Sequence, residues 1–191
     1  MKLKHQVKWF KEIKAQFVYG GEKYAHSTRK EATDCLFEDF GKNWLFGTLA
    51  KYCKRYTNKA RERDLLKIAC YVFIIWLKRG FHLYKKGTEY TVNTTVENKS
   101  KYFETFCQRV FHFMLDFDTV YISSTKNALE CVYKLLTVFS QLNFQKIGEK
   151  ALFEIFALCY FIWEVDVPDA KKGHDQDLVN PGDKDKEKNN G

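Results

Sequence analysis

Two groups of side chains in this sequence have the residue types and spacing for chemistry, and the first is a histidine with a carboxylate. His112 and Asp116 are four residues apart, so on a helix they share one face, where the carboxylate could orient a basic imidazole. Cys107, five residues before His112, would lie about 140° away around the helix, which argues against a direct thiol–imidazole pair. A solvated surface pair is the simpler interpretation, and an enzyme with a site around His112 and Asp116 is the weakest functional hypothesis.

Motifs of the common enzyme and metal-binding classes are absent from the sequence. It contains no GxGxxG, GxxxxGK[ST], HExxH or GxSxG pattern and no paired Cys/His spacing, and its 5 histidines are scattered singly. A metal site would therefore need ligands from distant elements. We expect a protein that is not an enzyme and that has no catalytic residues, metal or cofactor.

Positive charge forms the second and stronger group. Residues 166–191 contain 5 Lys and 7 acidic residues, which leaves 27 basic and 17 acidic residues, a net charge of +10, for residues 1–165. Basic side chains interleaved with tyrosine can neutralise phosphates and stack on bases, or contact acidic side chains. The candidate contact residues are Lys51, Lys54, Arg55, Lys59, Arg61 and Arg63, then Lys78, Arg79, Lys85 and Lys86 on the adjoining helix. A nucleic acid or an acidic filament surface is the expected partner under this second hypothesis.

The leading hypothesis comes from the aromatic content. Aromatic residues make up 17% of the chain, with 17 Phe, 11 Tyr and 4 Trp, which exceeds what a helical core of this length needs. Aromatics beyond core demand commonly serve as interface anchors. We therefore expect a non-enzymatic helical adaptor or structural subunit of a larger intracellular protein assembly, with other protein subunits as partners. The N-terminal residues do not resemble a secretory signal, so a cytoplasmic location is the default expectation.

The element expected to organise the fold is the apolar run Leu65–Leu77. It is apolar on nearly all sides, so other helices or lipid must cover it. Thirteen helical residues span only about 20 Å, short of the roughly 30 Å of bilayer hydrocarbon. The run therefore predicts a central helix near 61–86 in a protein core, and no transmembrane segment.

The remaining segments predict an all-α fold of about six to seven mostly antiparallel helices. A basic amphipathic helix is predicted over 2–19. The next helix is expected in two pieces, near 28–40 and 43–56, because Gly41 and Gly47 each weaken a continuous helix in this region. An aromatic helix begins after Asn98, Ser123 or Ser124 caps the next one, and the last covers Ala151 to Val165. These helices can form a closed bundle or a short stack of hairpins, similar in architecture to armadillo and HEAT repeats.

The domain organisation follows from the change in composition near residue 165. Residues 1–165 predict one helical domain, and residues 166–191, which are polar, charged and nearly without large apolar groups, predict a disordered tail. The 6 cysteines occur singly in apolar helical segments, which favours buried free thiols over disulfides.

Overall fold

The computed structural model describes residues 3–23, 32–81, 96–117 and 122–167, and in this part the protein is all-α. A 3-10 turn, Phe144–Lys146, lies between the last two helices. The α-helices are α1 (Leu3–Lys23), α2 (Ala32–Lys59), α3 (Glu62–Lys78), α4 (Val96–Leu115), α5 (Thr125–Gln141) and α6 (Glu149–Asp166). The predicted fold class is confirmed, and the helices form a bundle in which α3 and α6 are central.

Burial of α3 confirms the predicted central helix. Ile68, Val72, Ile75 and Trp76 are each 0% exposed. The helix ends at Lys78, however, and does not continue to residue 86. Gly80 has φ 72°, a left-handed conformation that commonly follows a helix C-terminus, so the backbone leaves the helix before Phe81. Residues 82–95, including Lys85 and Lys86, lie outside the described part of the chain.

Reciprocal hydrogen bonds fix α3 and α6 as antiparallel neighbours. The indole Nε1 of Trp76, near the end of α3, donates to Glu149 Oε1 at the start of α6, at 2.7 Å. The indole Nε1 of Trp163, near the end of α6, donates to Glu62 Oε1 at the start of α3, at 2.6 Å. Each carboxylate also lies in the first turn of its helix, where the helix dipole favours negative charge.

Glycine acts as a helix breaker at only one of the predicted positions. Gly41 has φ 59° and ψ −149°, a conformation essentially limited to glycine, and it divides α2 as the two-piece prediction requires. Gly47 remains helical, and α1 continues through Gly20 to Lys23, because one or two glycines cost a helix little when tertiary packing holds it.

The structure also describes the predicted cap of α5 and the C-terminal end of the predicted domain. Ser124 caps α5, its hydroxyl accepting from the Asn127 N–H at 3.2 Å, as one of the two predicted alternatives. The fold continues past residue 165, because Asp166 Oδ2 accepts a 2.9 Å hydrogen bond from the Tyr56 hydroxyl and Val167 is buried. The predicted disordered tail lies, from residue 168 onward, outside the described residues.

The thiols are free where they are described, and most are covered. Cys53, Cys70 and Cys159 are buried and Cys107 is half-buried, as predicted. Cys131 is exposed on α5, so the prediction of burial is wrong for this residue. The side chain of Cys35 lies outside the described part.

Candidate protein-binding groove and basic corner

The turn between α2 and α3 brings the first group of predicted basic residues to one corner of the bundle. The turn is short: Ala60 has φ 43°, and Arg61 is the extended N-cap of α3. Across it, Arg55 Nε donates to Asp64 Oδ2 at 2.7 Å, and the Arg55 Nη2 group contacts Oδ1. This ion pair joins α2 to α3. Because Asp64 is 0% exposed, its charge needs a partner, so the role of Arg55 is structural.

Three more predicted contact residues are also engaged within the fold. Arg63 Nε donates to Gln16 Oε1 at 3.2 Å, and its guanidinium lies over the ring of Tyr19. Arg79 Nε donates to the carbonyl of Ile147 at 3.0 Å, which ties the end of α3 to the α5–α6 connection. The ammonium group of Lys78 lies 5.1 Å from the ring centroid of Phe37.

The remaining cations define what we call the basic corner: Lys51, Lys54, Lys59 and Arg61. All four are exposed, and none forms an ion pair in the described part of the structure. Lys78 and Arg79 are not part of it, because the fifteen residues from Arg63 to Lys78 separate them by about 20 Å along α3. The structure therefore leaves four of the predicted cations exposed near the α2–α3 turn and places two others at the opposite end of α3.

A cavity beside the basic corner carries aromatic walls. It has a volume of about 320 Å³ between α1, α2 and α3, and Lys51 lies at its edge. Trp44 and Tyr71 form part of the wall, with ring centroids 5.9 Å apart, and the ammonium group of Lys51 lies 4.9 Å from the Tyr52 centroid. Cations and half-buried aromatic rings are thus adjacent here, as the interleaved sequence indicated.

His112 and Asp116 are both exposed, and the two side chains form no hydrogen bond with each other in the structure. Burial raises the pKa of the nearby Cys107 thiol to about 12, so it stays protonated at neutral pH and is a poor nucleophile or metal ligand. No group of three or more His, Cys, Asp or Glu within the described ranges could hold a metal ion. The enzyme hypothesis gains no support from this arrangement.

A concave feature that sequence reasoning missed is a shallow groove between α1 and α4, with a volume of about 640 Å³. Its α1 wall includes Val7 and Phe10, and its α4 wall includes Cys107 and Phe111. We call this feature the α1–α4 groove. It is predominantly apolar, with Lys11, Lys14, Glu104, Gln108 and His112 among its polar lining residues.

Ring contacts fix one end and the floor of the α1–α4 groove. The rings of Phe17 and Phe103 stack with centroids 6.3 Å apart. Phe10 stacks on Phe156 of α6, with centroids 5.7 Å apart, and so lies at the floor of the groove. Toward the start of α1, Val7 is 47% exposed, and neither Val7 nor Phe111 packs against the core of the described bundle. Val7 and the half-buried Phe111 therefore present apolar surface on opposite walls, outside the core of the described bundle.

The groove could not be identified from periodicity alone. In the sequence, Val7 recurs with Leu3, Phe10 and Phe17 at the spacing of a helical apolar stripe, which suggested burial. Phe111 falls outside the apolar stripe of the fourth helix, which includes Phe106, Val110 and Phe113. Trp9 and Ile13, each 0% exposed, turn α1 toward α3 and α6, and this rotation leaves Val7 at the surface. An isolated phenylalanine off the stripe of an amphipathic helix was the one available signal.

Comparison with known proteins gave no match to a family model, to a curated protein or to a solved structure. Among the residues that the structure describes, no helix combines the length and the apolar character needed to cross a membrane.

Proposed function

We propose that this protein is a non-enzymatic helical adaptor or structural subunit of a larger intracellular assembly, and that it binds other proteins through the α1–α4 groove. The observation that carries the proposal is the pair of apolar side chains Val7 and Phe111, which lie outside the described core on opposite walls of a groove of about 640 Å³. Aromatic side chains in apolar clefts are the usual anchors of protein interfaces.

The shape of the groove fits a recognised binding mode. From Phe103 to His112 the α4 wall extends about 14 Å, which is between two and three helical turns. An amphipathic helix lying between two helices can insert apolar side chains at positions i, i+3, i+4 and i+7 into such a cleft. Because the neutral thiol of Cys107 adds apolar surface, the groove offers packing rather than reaction chemistry.

A matched pair of valine substitutions tests the proposal. Val7 is 47% exposed in the groove and Val138 is 49% exposed on α5, so glutamine at either position should leave the fold stable. The purified chain and the Val7→Gln and Val138→Gln variants are immobilised and incubated with extract of the native cell, and the retained proteins are identified by mass spectrometry. We expect a retained set that is shared by wild type and Val138→Gln and lost with Val7→Gln. The same set on all three proteins would refute the groove as the interface.

The basic corner supports a second candidate function, direct binding of RNA or DNA. Lys51, Lys54, Lys59 and Arg61 are exposed without ion pairs in the described part, beside aromatic rings on which bases could stack. If all four contact phosphates of a single strand, the logarithm of the binding constant should fall with the logarithm of salt concentration with a slope of about −3. The same charges would fit an acidic filament surface.

Removing charge from the basic corner distinguishes a specific nucleic-acid site from general attraction of the oligonucleotide to a basic protein. A Lys54→Gln, Lys59→Gln double variant should bind a single-stranded oligonucleotide more weakly and with a smaller salt slope, whereas Lys134→Gln, an exposed lysine on α5, should not. Undetectable binding of the wild-type chain at about 50 mM salt would exclude this function, since low salt maximises the phosphate contribution.

A further inference from the structure

The charges around the α1–α4 groove differ between its two walls. On α1, Lys4 and Lys11 are exposed, and neither forms an ion pair with a residue that the structure describes. Glu12, the acidic residue in this part of α1, lies about 140° from Val7 around the helix and so does not face the groove. The α1 edge of the groove is therefore basic.

The α4 wall does not offset this charge. Glu104 is already paired with Lys14, with 3.7 Å between Nζ and Oε1. Gln108 is neutral and His112 can only add positive charge, while Asp116 follows the end of α4 and does not line the groove. Among the described residues, Lys11 consequently has no acidic partner and lies at the edge of the apolar groove.

From this charge distribution we infer that the occupant of the groove is an amphipathic helix of a partner protein, with acidic residues along the flank that faces α1. This inference rests on the proposed function and specifies its partner. The apolar ridge of the helix contacts Val7, Phe10 and Phe111, and its acidic flank lies against Lys4 and Lys11. Opposite charges across an interface favour association and fix the orientation of the bound helix, whereas a basic flank is repelled.

The test is a selection that does not presuppose the acidic flank. A displayed library of amphipathic helical peptides, about 16 residues long, has leucines at positions i, i+3, i+4 and i+7, and its flanking positions vary among Glu, Gln and Lys. The library is selected against the full wild-type chain and counter-selected against the Val7→Gln variant. We expect the enriched peptides to carry Glu on one flank.

The outcomes separate this inference from the proposed function. Peptides that depend on Val7 but show no preference for Glu would retain the groove as an interface and overturn the acidic occupant. The absence of any peptide that depends on Val7 would overturn both. Binding of the chain to anionic vesicles but not to zwitterionic ones, lost with Lys11→Glu, would identify a lipid surface as the ligand of the α1 edge and also overturn the inference.

Charge reversal on the protein provides the second readout. For a peptide enriched with Glu, the Lys4→Glu, Lys11→Glu double variant should bind roughly tenfold more weakly, because each reversal replaces an exposed attraction with a repulsion. A Lys126→Glu, Lys134→Glu variant has the same change of net charge at exposed positions of α5 and should bind as wild type. Equal loss in both double variants would show that only net charge matters and would refute the flank assignment.

Discussion

Replacement of Ile75 by alanine tests whether α3 is the element on which the bundle depends. Ile75 is 0% exposed, and its substitution removes three carbon atoms from the core. At about 0.8 kcal/mol for each buried methylene equivalent, the transfer cost alone is about 2.4 kcal/mol. The cavity left behind adds to this, so the expected loss of unfolding free energy is about 2–5 kcal/mol.

Ile74 provides a matched control on the same helix. It is half-buried and lines the cavity of about 320 Å³ between α1, α2 and α3, so its removal creates little new void. Both substitutions change isoleucine to alanine within α3, so the gain in helix propensity is the same and cancels in the comparison. We expect the Ile74→Ala variant to lose less than half of what the Ile75→Ala variant loses.

Urea unfolding followed by circular dichroism measures both variants, with equal m-values confirming that the same surface is exposed. For a domain of this size, a loss of about 2–5 kcal/mol corresponds to a decrease in Tm of about 4–20 °C. Equal losses for the two variants, or a loss below about 1 kcal/mol at Ile75, would refute the central position of α3. The segment would then have to act as a partner-binding ridge and not as the core.

Two further predictions concern backbone conformation and alkaline stability. Gly41→Ala should cost roughly 1–3 kcal/mol of unfolding free energy, because a side chain is strained at its φ of 59°. Gly47→Ala, with nothing within 4 Å of the new Cβ, should instead stabilise α2 by up to about 1 kcal/mol. Equal effects of the two substitutions in thermal unfolding would contradict the assigned kink. Burial raises the pKa of the Cys53 thiol from 9.0 to about 12. Between these two pH values the thiol ionises in the unfolded chain but not in the folded one, which favours unfolding. The contribution of Cys53 to the unfolding free energy is therefore complete below pH 9 and is lost as the pH rises toward 12. Unfolding free energies at about pH 8 and 11 should therefore differ more in wild type than in Cys53→Ala, and identical pH profiles would exclude this contribution.

The sequence alone determined the class of fold, because local signals and burial agreed. An apolar run with charged residues at both ends has few solutions in water other than a covered helix, and Leu65 and Ile68 are indeed 0% exposed. The serine cap of α5 was equally local, since the hydroxyl of Ser124 reaches an N–H only three residues away. The end of α3 was missed, because a glycine within an apolar pattern does not by itself reveal its φ angle.

Only the tertiary structure shows which charged and which apolar side chains remain exposed at the surface and can contact a partner. Arg55 and Lys54 are adjacent and look equivalent in sequence, yet Arg55 is paired with the buried Asp64 and Lys54 is exposed. Val7 is similarly part of a regular apolar stripe, and only the docking of α1 through Trp9 leaves it 47% exposed. Helical periodicity specifies one face of a helix, but the surface left uncovered depends on the angles at which several helices meet. That is why the sequence determined the helices of this protein, and only their packing created the α1–α4 groove.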